Sequence, residues 1–367
     1  MHRFLLAFAA AAGAALCPAS AGAAVKTTTG PCGVGAQSPQ CFFWTGRVTF
    51  IGDADTVSVV LDGDKSRHPI NVRLTGINAT ESYVHTNDPQ DRVGECHANE
   101  ATDRLQSMIA ASKGRVRLSA QNPSSHSGTR PRRAVAVNIG GRWRDVGRTL
   151  LNEGHALWLP NKVEYAWNNS YSIIAARAAE KHIGIWDPQH CAPGPSQGQK
   201  LKLWVNSDAP GSDSTNPNGE WVKIKNLDDV NPVPIGGWWV RDSDLRRYMF
   251  PAGATIPPNS TITMFVGGGI DTPSEFFWGL SGGVFDNGSR GINGAGDGAY
   301  LFDPDGDVRA FMQYPCRWHC ADPLAGAVRL DVHPAGQEYV DVTNVSSGGI
   351  DLESYRLIAG GYVYPFP

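Results

Sequence analysis

The sequence predicts a multidomain protein in which a five-stranded β-barrel with helices, an α+β domain, precedes a β-sandwich. At 367 residues the chain is long enough for two or more domains. Apolar residues recur with helical and strand periods up to residue 191. Residues 192–199 are rich in Gly and Pro and have the composition of a linker. Beyond them the helical period disappears, and short alternating runs predict antiparallel strands.

The first 23 residues have the three parts of a secretory signal peptide. A basic start at 1–3 precedes an apolar run from Phe4 to Leu16 and a small-residue cleavage site at 21–23, with 19–21 as the alternative. The apolar run is too short to cross a membrane, and no later segment is long and apolar enough. We therefore predict a secreted, extracellular protein without a membrane span, whose mature chain starts with an extension at 24–43.

Removal of this signal leaves six of the seven cysteines, an even number that suits an oxidising compartment. Cys32 and Cys41 are close in the sequence, and two more cysteines flank the tripeptide Arg-Trp-His. Among the several connectivities that six cysteines allow, we expect the pairs Cys32–Cys41, Cys96–Cys191 and Cys316–Cys320. A zinc site is the alternative, but the sequence has no C-x-x-C pair or compact His/Cys cluster that favours it.

Charge is distributed unevenly along the chain. The whole sequence holds 32 Lys and Arg against 35 Asp and Glu, a net charge of −3. Residues 44–190 hold 18 basic and 15 acidic side chains, whereas residues 200–316 hold 9 and 14. A mildly positive first domain suits a polyanionic substrate, and so small an excess excludes the strongly basic class of nucleic-acid storage proteins.

The first domain, residues 44–191, is predicted to contain five strands and three helices, which fit a small Greek-key barrel of the OB type. The turn Asp62-Gly63-Asp64 indicates a hairpin within it. Individual strands are expected at 57–61, 70–74, 115–120 and 134–139, and helices at 95–112, 146–155 and 165–182. In the first helix, five apolar residues at helical spacing predict the buried face: Ala98, Ala101, Leu105, Met108 and Ile109.

The predicted hairpin brings together the residue types that a phosphodiester and a cation require. Asp55 stands near the start of one strand, and Asn78 and Glu81 stand just past the end of the other. Carboxylate and amide oxygens are ligands for a hard cation, and the guanidinium of Arg73 matches a phosphate group. The alternative for this segment is a solvated acidic turn.

The motifs D-x-D-T at 53–56 and R-L-x-G-I-N-x-x-E at 73–81 are followed by an arginine before an apolar strand and a helix ending in Gly184-Ile185-Trp186. In this order they resemble the staphylococcal-nuclease-like (thermonuclease) family over residues 44–191. The resemblance implies an OB-type barrel and a secreted, calcium-dependent nuclease. Such an enzyme hydrolyses DNA and RNA by attack of water on phosphorus and releases 3′-phosphate ends.

The resemblance also implies a role for each motif residue. Ca²⁺ would be bound by Asp55, by the amide of Asn78, where the family usually has a second Asp, and by the carbonyl of Ala79. Asp53 would act on the ion through water. Because an amide brings no charge, we expect a weak site suited to extracellular calcium concentrations. Glu81 would be the general base.

Two arginines would stabilise the phosphoryl charge, and only the first, Arg73, is unambiguous in the sequence. Spacing to the following strand favours Arg133 as the second, with Arg132 as the alternative. The family's acidic and aromatic residues before this point are replaced by Ser127, Gly128 and Thr129. Trp158 is a candidate surface for stacking a base, with burial in the core as the alternative.

Residues 200–316 contain four segments that resemble the lamin tail domain, an immunoglobulin-like sandwich: 218–226, 236–242, 248–251 and 297–306. The last overlaps the sequence D-P-D-G-D at 303–307, which resembles a calcium loop but lacks its glutamate and is predicted to be a hairpin turn. Residues 326–367 repeat about half of this pattern. This partial repeat has three interpretations: it docks on the first sandwich, completes another chain, or is truncated.

The leading hypothesis is the secreted calcium-dependent nuclease. A catalytically impaired nucleic-acid-binding protein is the second, because Asn78 and the altered region around Arg132 weaken the family pattern. The third is a surface or matrix protein in which the sandwich has the main role and binds protein, glycan or cell wall.

Overall fold

A computed structural model describes residues 25–33, 38–82, 95–191, 200–208, 211–288, 294–320, 324–353, 355–359 and 362–366. The predicted signal peptide at 1–23 and the predicted linker at 192–199 lie outside these residues. Within them the chain is mostly β, with three α-helices that all belong to the first domain. No helix in the described ranges is both long enough and apolar enough to cross a membrane.

The first domain is built on one large sheet. The strands of this sheet are β1 (Thr28–Pro31), β2 (Gln40–Asp53), β3 (Thr56–Leu61), β4 (Ile70–Leu74), β6 (Arg115–Ala120), β7 (His126–Ser127), β8 (Arg130–Ile139) and β9 (Arg142–Asp145). Two further strands, β5 (Ile77–Ala79) and β10 (Ala156–Trp158), pair with each other in a separate two-stranded sheet. The strand order is β1-β2-β3-β4-β8-β6, and β6 also pairs with β2. The five strands β2, β3, β4, β8 and β6 therefore close into a barrel.

Three helices accompany the barrel: α1 (Ala98–Ala111), α2 (Val146–Asn152) and α3 (Asn168–Glu180), the last preceded by a 3₁₀ turn at Tyr165–Trp167. The five apolar residues predicted to face the core from α1 are all buried. The helix begins later than predicted because His97 has a left-handed backbone with φ of 67°. Asp145 caps α2 by accepting a hydrogen bond from the Arg148 N–H at 3.0 Å.

The second domain is a sandwich of two four-stranded sheets. Its strands are β11 (Leu201–Asn206), β12 (Trp221–Asn226), β13 (Val233–Pro234), β14 (Trp239–Arg241), β15 (Arg247–Met249), β16 (Thr255–Ile256), β17 (Thr261–Phe265), β18 (Glu275–Phe277), β19 (Asp297–Phe302) and β20 (Val308–Tyr314). The sheets have the orders β11-β12-β17-β18 and β15-β14-β19-β20 and enclose an apolar core. The predicted turn at 303–307 joins β19 to β20.

The partial repeat forms two separate hairpins, β21 (Val328–His333) with β22 (Tyr339–Asn344) and β23 (Arg356–Ala359) with β24 (Tyr362–Pro365). The segment between the hairpins contacts the first sandwich. Lys225 Nζ lies 3.0 Å from Asp351 and 3.3 Å from Glu353, and Arg356 donates to the Asn206 side chain at 3.2 Å. Of the three interpretations of the repeat, docking on the first sandwich is the one that these contacts favour.

The two main domains share an apolar interface. Leu157, Ala178, Ala179, Ile185 and Trp186 of the first domain pack with Trp239, Tyr300, Phe302 and Val308 of the sandwich in one buried cluster. The ring centroids of Trp186 and Phe311 are 4.7 Å apart. Because these aromatic side chains are buried between the domains, the domains are held together more firmly than a Gly/Pro-rich linker alone would hold them.

The three expected disulfides, Cys32–Cys41, Cys96–Cys191 and Cys316–Cys320, are present. The first closes the extension before β2, and the second joins the residue after Glu95 to the end of the first domain. Three disulfides are compatible with an extracellular protein.

Candidate active site

The candidate site contains a row of side chains that runs across neighbouring strands of the barrel. In the strand register Asp53 on β2 pairs with Thr56 on β3, Thr56 pairs with Arg73 on β4, and Arg73 pairs with Arg132 on β8. Directly paired residues project to the same side of a sheet. The four side chains therefore lie in one row, and Arg130, two residues before Arg132, lies on the same side and donates to Thr56 Oγ1 at 3.0 Å.

Asp55 lies at the tight turn between β2 and β3, against the end of β4. Its carboxylate forms an ion pair with Arg73 and accepts a hydrogen bond from the Ala79 N–H at 3.0 Å. Its backbone carbonyl accepts the Leu74 N–H at 2.8 Å. The predicted proximity of Asp55 to the segment after β4 is thus confirmed. Burial raises the pKa of Asp55 to about 6, with Arg73 opposing and Asp53 adding to the shift.

A glycine shapes the turn that leads from β4 into β5. Gly76 has φ of 82°, and a Cβ at this position would lie 2.7 Å from the ring of Tyr171 on α3. Only glycine satisfies both requirements. The turn places Asn78 on β5, completely buried, with its Nδ2 3.4 Å from Asp244 Oδ1 of the sandwich. The Oδ1 atom of Asn78 is also buried and has no hydrogen-bond partner among the described residues.

Glu81 follows β5 and is fixed through its backbone by Glu95. The Glu81 N–H donates to Glu95 Oε2 at 2.8 Å, and the Glu81 carbonyl accepts the Glu95 N–H at 2.7 Å. Burial raises the pKa of the Glu81 carboxyl to about 7, reinforced by Asp55 and Asp53 and opposed by Arg73. The site therefore concentrates negative charge around one buried arginine.

Asp53, Arg73 and Glu81 border an open cleft of about 200 Å³, whereas the buried Asp55 and Asn78 are not among its lining residues. Both domains line it: Asp53, Arg73, Leu74, Thr75, Gly76, Glu81, Ser127, Arg130, Arg132, Leu159 and Asn161 from the first, and Asp244 and Leu245 from the sandwich. Burial lowers the pKa of Arg132, and neighbouring Arg73 lowers it further, whereas Asp244 raises it. Three guanidinium groups and several carboxylates thus meet in a single depression.

Two predicted site residues lie elsewhere. Arg133 is buried outside the cleft, over the ring of Trp44 at 4.7 Å, and donates to the carbonyls of Arg132 at 2.7 Å and Pro123 at 2.8 Å. It pairs with Leu74, one step along from the Arg73–Arg132 pair, and so projects to the opposite side of the sheet. The preference for Arg133 over Arg132 is therefore wrong for this geometry, and the alternative, Arg132, lines the cleft.

Trp158 is also misplaced by the sequence-based prediction. Its side chain is completely buried in the core of the first domain, with Arg317 over its ring at 5.2 Å. A ring without exposed surface cannot stack a nucleotide base, so the alternative, a core tryptophan, is correct. Arg130 and the sandwich residue Asp244, in contrast, line the cleft without having been predicted.

The oxygen atoms of the site fit a hard cation better than a transition metal. Asp53, Asp55, Asn78 and Glu81 offer only carboxylate and amide oxygens, and the buried, unpartnered Oδ1 of Asn78 is a ready ligand. Among the described His, Cys, Asp and Glu residues, the only three whose ligand atoms all lie within 4.8 Å of one another are Cys96, His97 and Cys191. The two sulfurs there form a disulfide and are not thiolates. The carboxylates of Asp53, Asp55 and Glu81 do not form such a close group, so the Asn78 amide, the Ala79 carbonyl and water would complete the shell of a cation.

Comparison with known families identifies the second domain. A family model for the lamin tail domain matches residues 198–316, the stretch that forms the sandwich. These residues are a lamin tail domain. The immunoglobulin-like architecture predicted for them is confirmed. No curated protein matches the chain. The match covers only the sandwich and not residues 44–191, so the nuclease interpretation of the first domain remains a prediction.

Proposed function

We propose that this protein is a secreted, calcium-dependent nuclease that hydrolyses phosphodiester bonds of DNA and RNA in the cleft of the barrel. The convergence of Asp53, Arg73 and Arg132 in one row, with Glu81 lining the same cleft, carries the proposal. The closed five-stranded sheet supports the OB-type barrel, and the order of the motifs supports the thermonuclease resemblance. The disulfides and the composition of residues 1–23 support export.

The arginines supply the recognition of phosphate. Arg73, Arg130 and Arg132 line one cleft, and guanidinium groups bind phosphate oxygens through paired N–H donors. Their mutual proximity is unfavourable until an anion lies between them. A phosphate group held there would be stabilised further as negative charge builds up on its oxygens during the reaction.

Glu81 is the base that this geometry favours. Its backbone is fixed by two hydrogen bonds, and its carboxylate lines the cleft that holds the arginines. It would accept a proton from a water that attacks phosphorus in line with the leaving 5′ oxygen. The bond from phosphorus to that oxygen breaks, and the phosphate remains on the 3′ side.

Asp55 and Asn78 would hold the calcium ion, with the Ala79 carbonyl as a further ligand and Asp53 acting through water. When bound, a divalent cation offsets the carboxylate charge and polarises the phosphate. The ion pair of Asp55 with Arg73 shows that this carboxylate already serves one cationic partner. Asp55 would therefore be shared between the arginine and the cation.

The test is cleavage of linear single-stranded DNA by the purified protein, with Ca²⁺ and with a chelator, beside Glu81→Gln. We expect Ca²⁺-dependent cleavage by the parent and a decrease in kcat of about 10²–10⁴-fold in the variant, the range for loss of a general base. Glu275→Gln is the matched control, because Glu275 is exposed on the lamin tail domain. Cleavage by Glu81→Gln at the parent rate would assign the base elsewhere.

A binding protein without turnover is the second candidate, and the neutral Asn78 is the observation that favours it. Asn78 replaces a carboxylate that the resemblance implies, and its amide faces Asp244 instead of a phosphate-binding arginine. Such a cleft would hold single strands through the arginines without cutting them.

Asn78→Asp separates the two candidates. An added carboxylate beside Asp55 should strengthen Ca²⁺ binding, measured by calorimetry, and raise cleavage, measured on the same DNA. Asn287→Asp, at an exposed position, adds the same charge elsewhere and should change neither. If parent and Asn78→Asp both bind DNA but neither cleaves it, the protein is a binding protein.

A further inference from the structure

We propose that the lamin tail domain completes the active site of the first domain, with Arg241 as a positioning residue for Glu81. The inference rests on the proposed function, since it takes Glu81 as the base. It concerns a role for the second domain that follows from contacts between residues about 150 positions apart.

Arg241 binds the carboxylate that fixes Glu81. Its side chain, at the end of β14, is completely buried, and its Nη1 lies 3.0 Å from each carboxylate oxygen of Glu95. Arg247, on the neighbouring strand β15, donates to Glu95 Oε1 at 2.6 Å. Burial alone would raise the pKa of Glu95, but the two arginines hold it below its usual value. Glu95 is therefore an ionised, buried carboxylate whose cationic partners both belong to the other domain.

Glu95 transmits this contact to the catalytic residue. The same Oε2 atom that Arg241 contacts accepts the Glu81 N–H, and the Glu95 N–H donates to the Glu81 carbonyl. A buried carboxylate that loses its cationic partner is strongly destabilised and must move towards water or take up a proton. Loss of Arg241 would thus release the backbone of Glu81 from its present position.

The guanidinium of Arg241 also fixes the part of the sandwich that enters the cleft. Its Nε and Nη2 donate to the Asp244 carbonyl at 3.1 and 2.5 Å. Asp244 and Leu245 line the cleft, and the Asp244 carboxylate contacts Asn78. One arginine therefore sets the position of Glu81 on one side of the cleft and of Asp244 on the other.

The two domains are in close contact around Arg241. Cys96, next to Glu95, is bonded to Cys191, whose N–H donates to Asp307 of the lamin tail domain at 3.0 Å. The turn of that domain comes so close that a Cβ on Gly306 would lie 2.8 Å from the Cβ of Cys96. The two domains pack closely here and also share the apolar cluster described above. This packing fits a lamin tail domain that forms part of the site better than one that is only linked to the first domain.

The experiment compares two buried arginines of the lamin tail domain in the full-length protein. Arg241→Met should lower kcat for single-stranded DNA about tenfold or more, while KM stays within about twofold, since a misplaced catalytic group slows the reaction without removing the phosphate contacts. Arg309→Met is the control, because Arg309 also crosses the interface but donates there to the Pro188 carbonyl. It should lower the melting temperature and leave kcat within about twofold.

Hydrogen exchange provides a readout that does not depend on activity. Arg241→Met should speed exchange of the Glu81 amide, and Arg247→Met, at a partly exposed position, should do so to a lesser degree and at a smaller cost to folding, because Arg241 still pairs with Glu95. If the parent does not cleave DNA, the proposed function fails, and faster exchange at Glu81 would still support the positioning contact. Unchanged exchange together with parent-like kcat in Arg241→Met would overturn the proposal.

Discussion

At the scale of single residues, the direction in which a side chain leaves its strand decides its role in the cleft. Arg132 pairs with Arg73 and projects to the cleft, whereas Arg133 pairs with Leu74 and projects to the opposite side. This difference was available in the sequence: Arg133 is in phase with Val135 and Val137, which are core residues, and Arg132 is not. The prediction of Arg133 used only the spacing to the following strand and did not use the alternation of side chains between the two faces of a strand.

This geometry predicts different defects for two adjacent arginines. Arg132→Met should lower kcat/KM by about 10²-fold with little change in melting temperature, because it removes a donor to the developing charge. Arg133→Met should lower the melting temperature, because a buried cation–π contact and three carbonyl hydrogen bonds are lost, and should leave kcat/KM within about threefold. Steady-state cleavage and thermal denaturation measure both. The reverse pattern would return the catalytic role to Arg133.

At the scale of secondary-structure elements, strands and helices with a regular apolar period were predicted well. Strand β6 has the predicted bounds, 115–120, and α1 buries the five predicted residues. The short strands β5 and β10 were not predicted, because three residues carry too little periodicity to identify a strand. Their pairing nevertheless places Asn78, so part of the site depends on contacts that only the folded chain brings together.

The start of α1 makes the protein sensitive to acid. His97 is buried, its ring stacks on His190 at 3.6 Å, and both ring nitrogens lack a hydrogen-bond partner among the described residues. Burial, together with His190 and His155, lowers the pKa of His97 to about 4, whereas Glu100 and Asp307 oppose the shift. In the unfolded chain the pKa is near 6.5, so below that pH the unfolded state binds more protons.

Stability should therefore be fully present above pH 6.5 and should fall between pH 6.5 and 4, by at most about 1.4 kcal/mol per pH unit for this histidine. His97→Phe should reduce the slope of melting temperature against pH over this window. The exposed His68→Phe is the control and should leave the slope unchanged. A parent-like slope in His97→Phe would assign the acid sensitivity to another group, with His155, whose pKa burial also lowers, as the next to test.

At the scale of the whole molecule, the composition of the chain suggests independent domains, whereas the structure contains a buried apolar interface between them. The composition of residues 192–199 predicts a linker, but it says nothing about what the flanking domains bury together. Glu95 and Arg241 meet across 146 positions of sequence, and neither has a neighbour in the chain that reveals the pairing. When only the sequence is considered, a charged residue is ordinarily assigned to the solvent-exposed surface. The interface and its effect on the cleft were therefore beyond prediction from one sequence.

Two deletions test whether the lamin tail domain or the partial repeat supports activity. Removal of residues 200–367 should abolish cleavage and lower stability, because it exposes Leu157, Ile185 and Trp186 and leaves Glu95 buried without its arginines. Removal of residues 324–367 should leave kcat within about twofold, since the repeat contacts the sandwich through partly buried ion pairs and hydrogen bonds of residues that do not line the cleft. Cleavage assays, circular dichroism and thermal denaturation of both proteins measure this. A stable, fully active 1–199 fragment would show that the sandwich is an accessory module, and would favour the surface or matrix role for it.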